Sequence, residues 1–154
     1  MSVSPPEHLS NARISFVTLG VNNLAAATQF YEKLGWVNSA SSQESISFLI
    51  GSNIVLGLYG RQDLADDIGL KNTSPEFGGM ALAINMATTD DVDNFIKTAQ
   101  TAGGIIVKAP EKVFWGGYSG YFSDLDGHHW EVAHNPFFKF DANGNLDLQG
   151  DSST

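Results

Sequence analysis

A chain of 154 residues has the length of one compact domain or two very small modules, and its 42% hydrophobic share can fill a core. Charged residues make up only 16%, so the surface is largely neutral polar and small residues, a composition that favours strands and turns over solvated helices. Eight Lys and Arg against seventeen Asp and Glu give a formal charge of −9, which repels phosphate backbones and anionic lipid; with no cysteine, disulfides, thiolate metal sites and a cysteine nucleophile are excluded. Residues 1–10 are polar, carry Pro5 and Pro6, and lack the apolar stretch of a secretory signal. No apolar run approaches the roughly eighteen residues of a membrane span, so a cytoplasmic protein with neither nucleic-acid nor membrane partners is expected.

Residues 13–21 alternate, with Val17, Leu19 and Val21 on one side and Phe16, Thr18 and Gly20 on the other, the period of a strand. Asn22 and Asn23 can then cap a helix whose apolar positions Leu24, Ala27, Phe30, Tyr31 and Leu34 keep helical spacing until Gly35. Strand-like segments follow at 36–40, 45–50 and 53–59. Residues 60–78 form a connection with a possible short helix at 63–70 and an Asn72-Thr73-Ser74-Pro75 loop, which could act as a flap.

The same order then returns. Residues 80–86 alternate, Thr88 to Asp91 open a helix carrying Val92, Phe95, Ile96 and Ala99, Gly103 and Gly104 end it, and strands are expected at 105–109, 119–123 and 128–133. Beyond them, residues 137–148 alternate around Asn143-Gly144, a hairpin signal. Asp141, Asn143, Asn145 and Asp147 also alternate as calcium ligands would, but Leu146 stands where an EF-hand loop needs glycine and Ser152 where it needs glutamate, so the turn reading is preferred. The expected organisation is a polar arm at 1–12, units at 13–59 and 79–135 joined by 60–78, and a hairpin and tail at 136–154, with the two units forming one domain.

A tandem strand-helix-three-strand arrangement, with Val-Asn-Asn-Leu before the first helix and Asp124-Leu125-Asp126-Gly127 before a last strand containing Glu131, resembles the vicinal oxygen chelate superfamily. That superfamily includes glyoxalase I, bleomycin resistance proteins and extradiol dioxygenases. The resemblance spans about residues 13–135 and implies an α+β fold. In it, two βαβββ units form a cupped, barrel-like mixed sheet with helices on the outside and a site between concave faces. It also implies a homodimer, since many relatives build the cup across two copies.

Metal-dependent members place ligands on the first strand of each unit and on paired and last strands. Here those positions fall on Phe16, near Gly57, on Gly79 and on Glu131, so one ligand of four survives. Within His128-His129-Trp130-Glu131, alternation puts only His129 on the face of Glu131, and two ligands do not hold a catalytic metal. No metal and no cofactor are therefore expected. No Ser-His-Asp arrangement, phosphate-cradling glycine motif or GxSxG elbow is present.

The resulting expectation is a protein binding a small, partly aromatic molecule among Phe16, Tyr59, Asn85, Trp115, Tyr118, Tyr121 and Glu131, with Gly116-Gly117 as a mobile rim. Each residue has a plainer reading. Trp115 and Tyr118 could close the end of the core, Tyr121 could be a strand tyrosine, and Asn85 could be a turn residue. Glu131 could be a proton-transferring carboxylate beside His129 or simply a buried, satisfied acid. The alternative function is a metal-dependent lyase, isomerase or extradiol-type dioxygenase using Glu131 and His129.

Overall fold

Strand β1 (Phe16–Val21) turns Val17, Leu19 and Val21 toward the core and runs into Asn23, whose side chain accepts a 3.0 Å hydrogen bond from the Ala26 amide and opens helix α1 (Leu24–Lys33). Gly35, at φ +112°, takes the left-handed conformation that lets the chain leave the helix. Strands β2 (Val37–Asn38), β3 (Ile46–Ile50) and β4 (Val55–Gly60) complete a sheet in the order β1-β4-β3-β2, in which β1 and β4 are parallel and the other pairs antiparallel. This computed structural model describes residues 14, 16–68, 71–72 and 80–147. The N-terminal arm, the Thr73-Ser74-Pro75 part of the connecting loop, Gly79 and the end of the C-terminal hairpin lie outside the described residues.

β4 passes directly into α2 (Arg61–Ile68), which packs on β1 and β4. Gly20 allows this approach: a Cβ there would lie 3.3 Å from the Arg61 backbone and 3.4 Å from the Leu64 side chain. The second unit repeats the first with β5 (Leu82–Asn85), α3 (Thr89–Thr101), β6 (Ile105–Lys112), β7 (Tyr118–Ser123) and β8 (His129–His134), ordered β5-β8-β7-β6 with β5 parallel to β8. Thr88 caps α3 by accepting a hydrogen bond from the Asp91 amide, and Asp90 and Asp91 sit in its first turn, where the helix dipole favours negative charge. Strands β9 (Lys139–Phe140) and β10 (Leu146–Asp147) form the expected hairpin. One Asp141 oxygen accepts from the amides of Asn143 and Asn145, at 2.8 and 3.0 Å, as the turn reading requires. No helix among the described residues is long and apolar enough to cross a membrane.

The α+β class and the two four-stranded units agree with the sequence expectation, but the sheets stay separate rather than joining into one barrel-like sheet. Helices α1 and α3 each cover one face of their own sheet and touch each other, and each keeps an exposed polar side, as the expected outer position requires. Phe30 and Tyr31 of α1 belong to a core cluster that also holds Phe122 and Trp130, on the helix side of the second sheet. The ring of Phe30 lies 6.5 Å from Phe122, and that of Tyr31 5.9 Å from Trp130. Gly104 admits Phe30, since a Cβ there would stand 3.3 Å from that ring. Burying a side chain such as Phe30 stabilises by about 1.5–3 kcal/mol, so one continuous core favours joining the units through their helix faces. Polar contacts fix the same seam: the Asn22 amide donates to Asp126 at 2.7 Å, and His128 Nε2 lies 2.7 Å from the Gly20 carbonyl oxygen.

The expected strand at 36–40 is cut to two residues. Ser39 and Ser42 draw the chain into a turn, where Ser42 Oγ accepts from the Phe48 amide at 2.8 Å.

Candidate functional site

Because the helix faces meet inside, each sheet turns its other face outward. On the first sheet, cross-strand register places Phe16, Thr18, Val55, Gly57, Tyr59 and Phe48 on that face. Phe48 pairs with Gly57, whose missing side chain lets the β3 and β1 rings meet above β4: Phe16 and Phe48 touch edge to face at 5.6 Å. Phe16 remains 49% exposed, so this aromatic surface is available to a partner molecule. The structure thus places Phe16 and Tyr59 on the expected face and adds Phe48. Little in the sequence marks Phe48, because Ile46–Ile50 is nearly all apolar and shows no clear alternation.

On the second sheet the outward face carries His129 and Glu131 of β8 with Tyr121 and Ser119 of β7. His129 and Glu131 share this face, while Trp130 and Val132 pack in the core. Glu131 stands directly across from Tyr121 in the antiparallel pair. Burial pushes the Tyr121 phenol above its ordinary value and the Glu131 carboxylate adds to this, while Lys108 opposes it. The pair offers a hydrogen-bond donor beside an acceptor, next to the Lys108–Glu111 ion pair at 3.2 Å on β6.

Two expected site residues fall elsewhere, and a third sits at the edge of the second sheet. Tyr118 points to the helix side, where its hydroxyl donates a 2.6 Å hydrogen bond to Asp93 on α3; alternation along β7 forces this, since Tyr121 faces the other way. Trp115 lies in the loop between β6 and β7 with its indole folded over Gly117, where a Cβ would overlap the ring, and Gly116 takes φ +93° next to Phe137. Asn85 ends β5 opposite Ala133, on the side of Ala83 and Glu131 as expected, and also borders a crevice between the units. Within one chain, Phe16 and Tyr59 on one outward face and Tyr121 and Glu131 on the other do not come together, because the shared core separates them.

The side chains do not fit a metal held in the manner the resemblance implies. Phe16 has no donor atom, and Gly57 and Gly79 have no side chain. Among the described residues, no three His, Asp or Glu side chains gather in one place.

A family model described as the Glyoxalase/Bleomycin resistance protein/Dioxygenase superfamily matches residues 13–132, and the chain belongs to that superfamily. Among solved structures, it is similar to a glyoxalase-related enzyme from Fulvimarina pelagi, with 33% identity, 88% of this chain and 97% of that one covered, and a TM-score of 0.81. A hypothetical protein from S. aureus shares 25% identity over 80% of this chain and 93% of that one, with a TM-score of 0.70. A glyoxalase/bleomycin resistance protein/dioxygenase family enzyme from Burkholderia phytofirmans PsJN, 20% identical over 78% of this chain and 96% of that one, shares the fold with a TM-score of 0.70. No protein of curated function matches.

Proposed function

We propose that this protein binds a small, partly aromatic organic molecule, without a catalytic metal, in a cup assembled from two copies of the chain in the cytoplasm. The outward face of the first sheet of one copy supplies Phe16, Phe48 and Tyr59; the outward face of the second sheet of the other supplies Tyr121 and Glu131. The observation that carries this reading is the replacement of two ligand positions by Phe16 and Gly57, which turns a coordinating surface into an aromatic wall with free space beside it. Glu131, with no metal to neutralise it, favours a ligand with a cationic or hydrogen-donating group. Self-association is supported by apolar side chains left on the first sheet, Val37 at 63% and Ile50 at 48% exposure, and by the sheet edges at β1 and β5.

A thermal-shift screen of aromatic metabolites and antibiotics tests the reading. A true ligand raises the unfolding midpoint with concentration, because it binds only the folded state. The rise is expected to shrink in both Phe16→Ser and Tyr121→Ala. Stabilisation unchanged in both variants, or turnover abolished by a chelator and restored by one metal per chain, would overturn it; the latter outcome returns the lyase, isomerase or dioxygenase alternative on Glu131 and His129.

A further inference from the structure

The two units do not fill the space between them. A crevice of about 550 Å³ opens between the units, lined by core-facing residues of both sheets such as Val17, Leu56, Leu82 and Ile84 and reaching Ala83 and Asn85 at the β5 edge. Its floor is Trp36 and Trp130, whose rings meet edge to face at 5.6 Å, and its walls include Leu56 from the first sheet and Phe95 from α3. Asn143 and Asn145 of the β9–β10 hairpin and Asn85 at the end of β5 also line it.

Two properties of this lining define what it can hold. None of the described side chains lining it is ionisable, although the chain as a whole carries a formal charge of −9. A charged molecule would lose its water there and find no counter-charge, whereas a neutral one loses little. In addition, the carboxamides of Asn85, Asn143 and Asn145 make no hydrogen bond to other described residues. Each keeps a donor and an acceptor for a ligand. The volume matches the ~300–1,000 Å³ of drug-sized sites, and indole and phenyl walls suit a flat ring.

We infer that this crevice is a second binding site, distinct from the outward-facing cup, for an uncharged, flat organic molecule whose polar end meets the asparagine carboxamides. The occupant is set by the lining: rings on the tryptophans, an amide, hydroxyl or carbonyl at the asparagines, and no ionised group.

The chain has three tryptophans, Trp36, Trp115 and Trp130, so in a Trp115→Phe background all tryptophan emission comes from the crevice floor. The probes are neutral N-phenyl-1-naphthylamine and its anionic relative 8-anilinonaphthalene-1-sulfonate, titrated with energy transfer from tryptophan as the readout. The neutral probe is expected to saturate at one per chain and to bind at least about tenfold more tightly than the sulfonate. Ile54→Lys, at a lining residue 41% exposed, should weaken it by about tenfold or more. Leu146→Glu, on the hairpin side and 38% exposed, should do the same should the first variant fold poorly. Phe16→Ser should leave the probe bound, which separates this site from the cup. Absence of saturable transfer, equal binding of both probes, or loss in Phe16→Ser with none in the crevice variants would overturn the assignment.

Discussion

The phenol of Tyr31 donates a 2.5 Å hydrogen bond to the buried carboxylate of Asp124, 93 positions further along the chain, and accepts a 3.1 Å bond from Trp130 Nε1. The other Asp124 oxygen accepts from the amides of Asp126 and His128, so one tyrosine ties the first helix to the turn that sets up β8. Tyr31→Phe keeps the ring but strips a donor from Asp124 and an acceptor from Trp130, which should cost about 1–3 kcal/mol in urea unfolding.

The same residue sets an alkaline limit. Burial, then the Asp124 charge, raises the Tyr31 phenol far above its ordinary 10.0, so the folded protein keeps the proton when the unfolded chain releases it. Its contribution is complete below about pH 10 and declines as pH rises beyond that. Unfolding free energies measured across this range should fall more steeply in the wild type than in Tyr31→Phe; parallel curves would contradict the assignment.

Across the second sheet, Glu131→Gln removes the negative charge that adds to the rise of the Tyr121 phenol, while leaving burial in place. The phenol should shift back toward its ordinary value without reaching it. A spectrophotometric tyrosinate titration, compared with Tyr121→Phe to identify the transition, measures this.

Gly117 is the seat of the Trp115 indole, whose ring atoms lie 1.7 to 2.6 Å from where a Cβ would stand. Gly117→Ala must therefore expel the ring toward solvent. The expected result is a red shift in the part of the emission that Trp115→Phe removes, and weaker binding of any ligand that contacts this rim.

Period-two alternation exposed much of this architecture to sequence reading. It set the phase of β1 and β8, placed His129 with Glu131, and put Trp130 and Val132 in the core. It did not show which faces of the two units meet, because an apolar face reads the same whether it covers its own helix or a neighbouring unit. Trp36 illustrates this: it reads as the start of a strand, yet its ring lies against Trp130 of the other unit. Tyr118 was misplaced for a different reason. As the last member of an aromatic, glycine-rich loop it reads as rim, but it is already the first residue of β7 and obeys that strand's alternation.

The central claim, a cup shared between two copies, is tested most directly by mixing Phe16→Ser and Tyr121→Ala chains. Each variant alone should fail to bind a ligand found in the thermal-shift screen, because every cup in its dimer has lost one wall. After the two are unfolded together and refolded, mixed dimers should each contain one intact cup and one doubly altered cup, restoring roughly a quarter of the sites. Recovery near that fraction, measured by calorimetry, is the predicted result; no recovery on mixing would contradict a cup built across two chains.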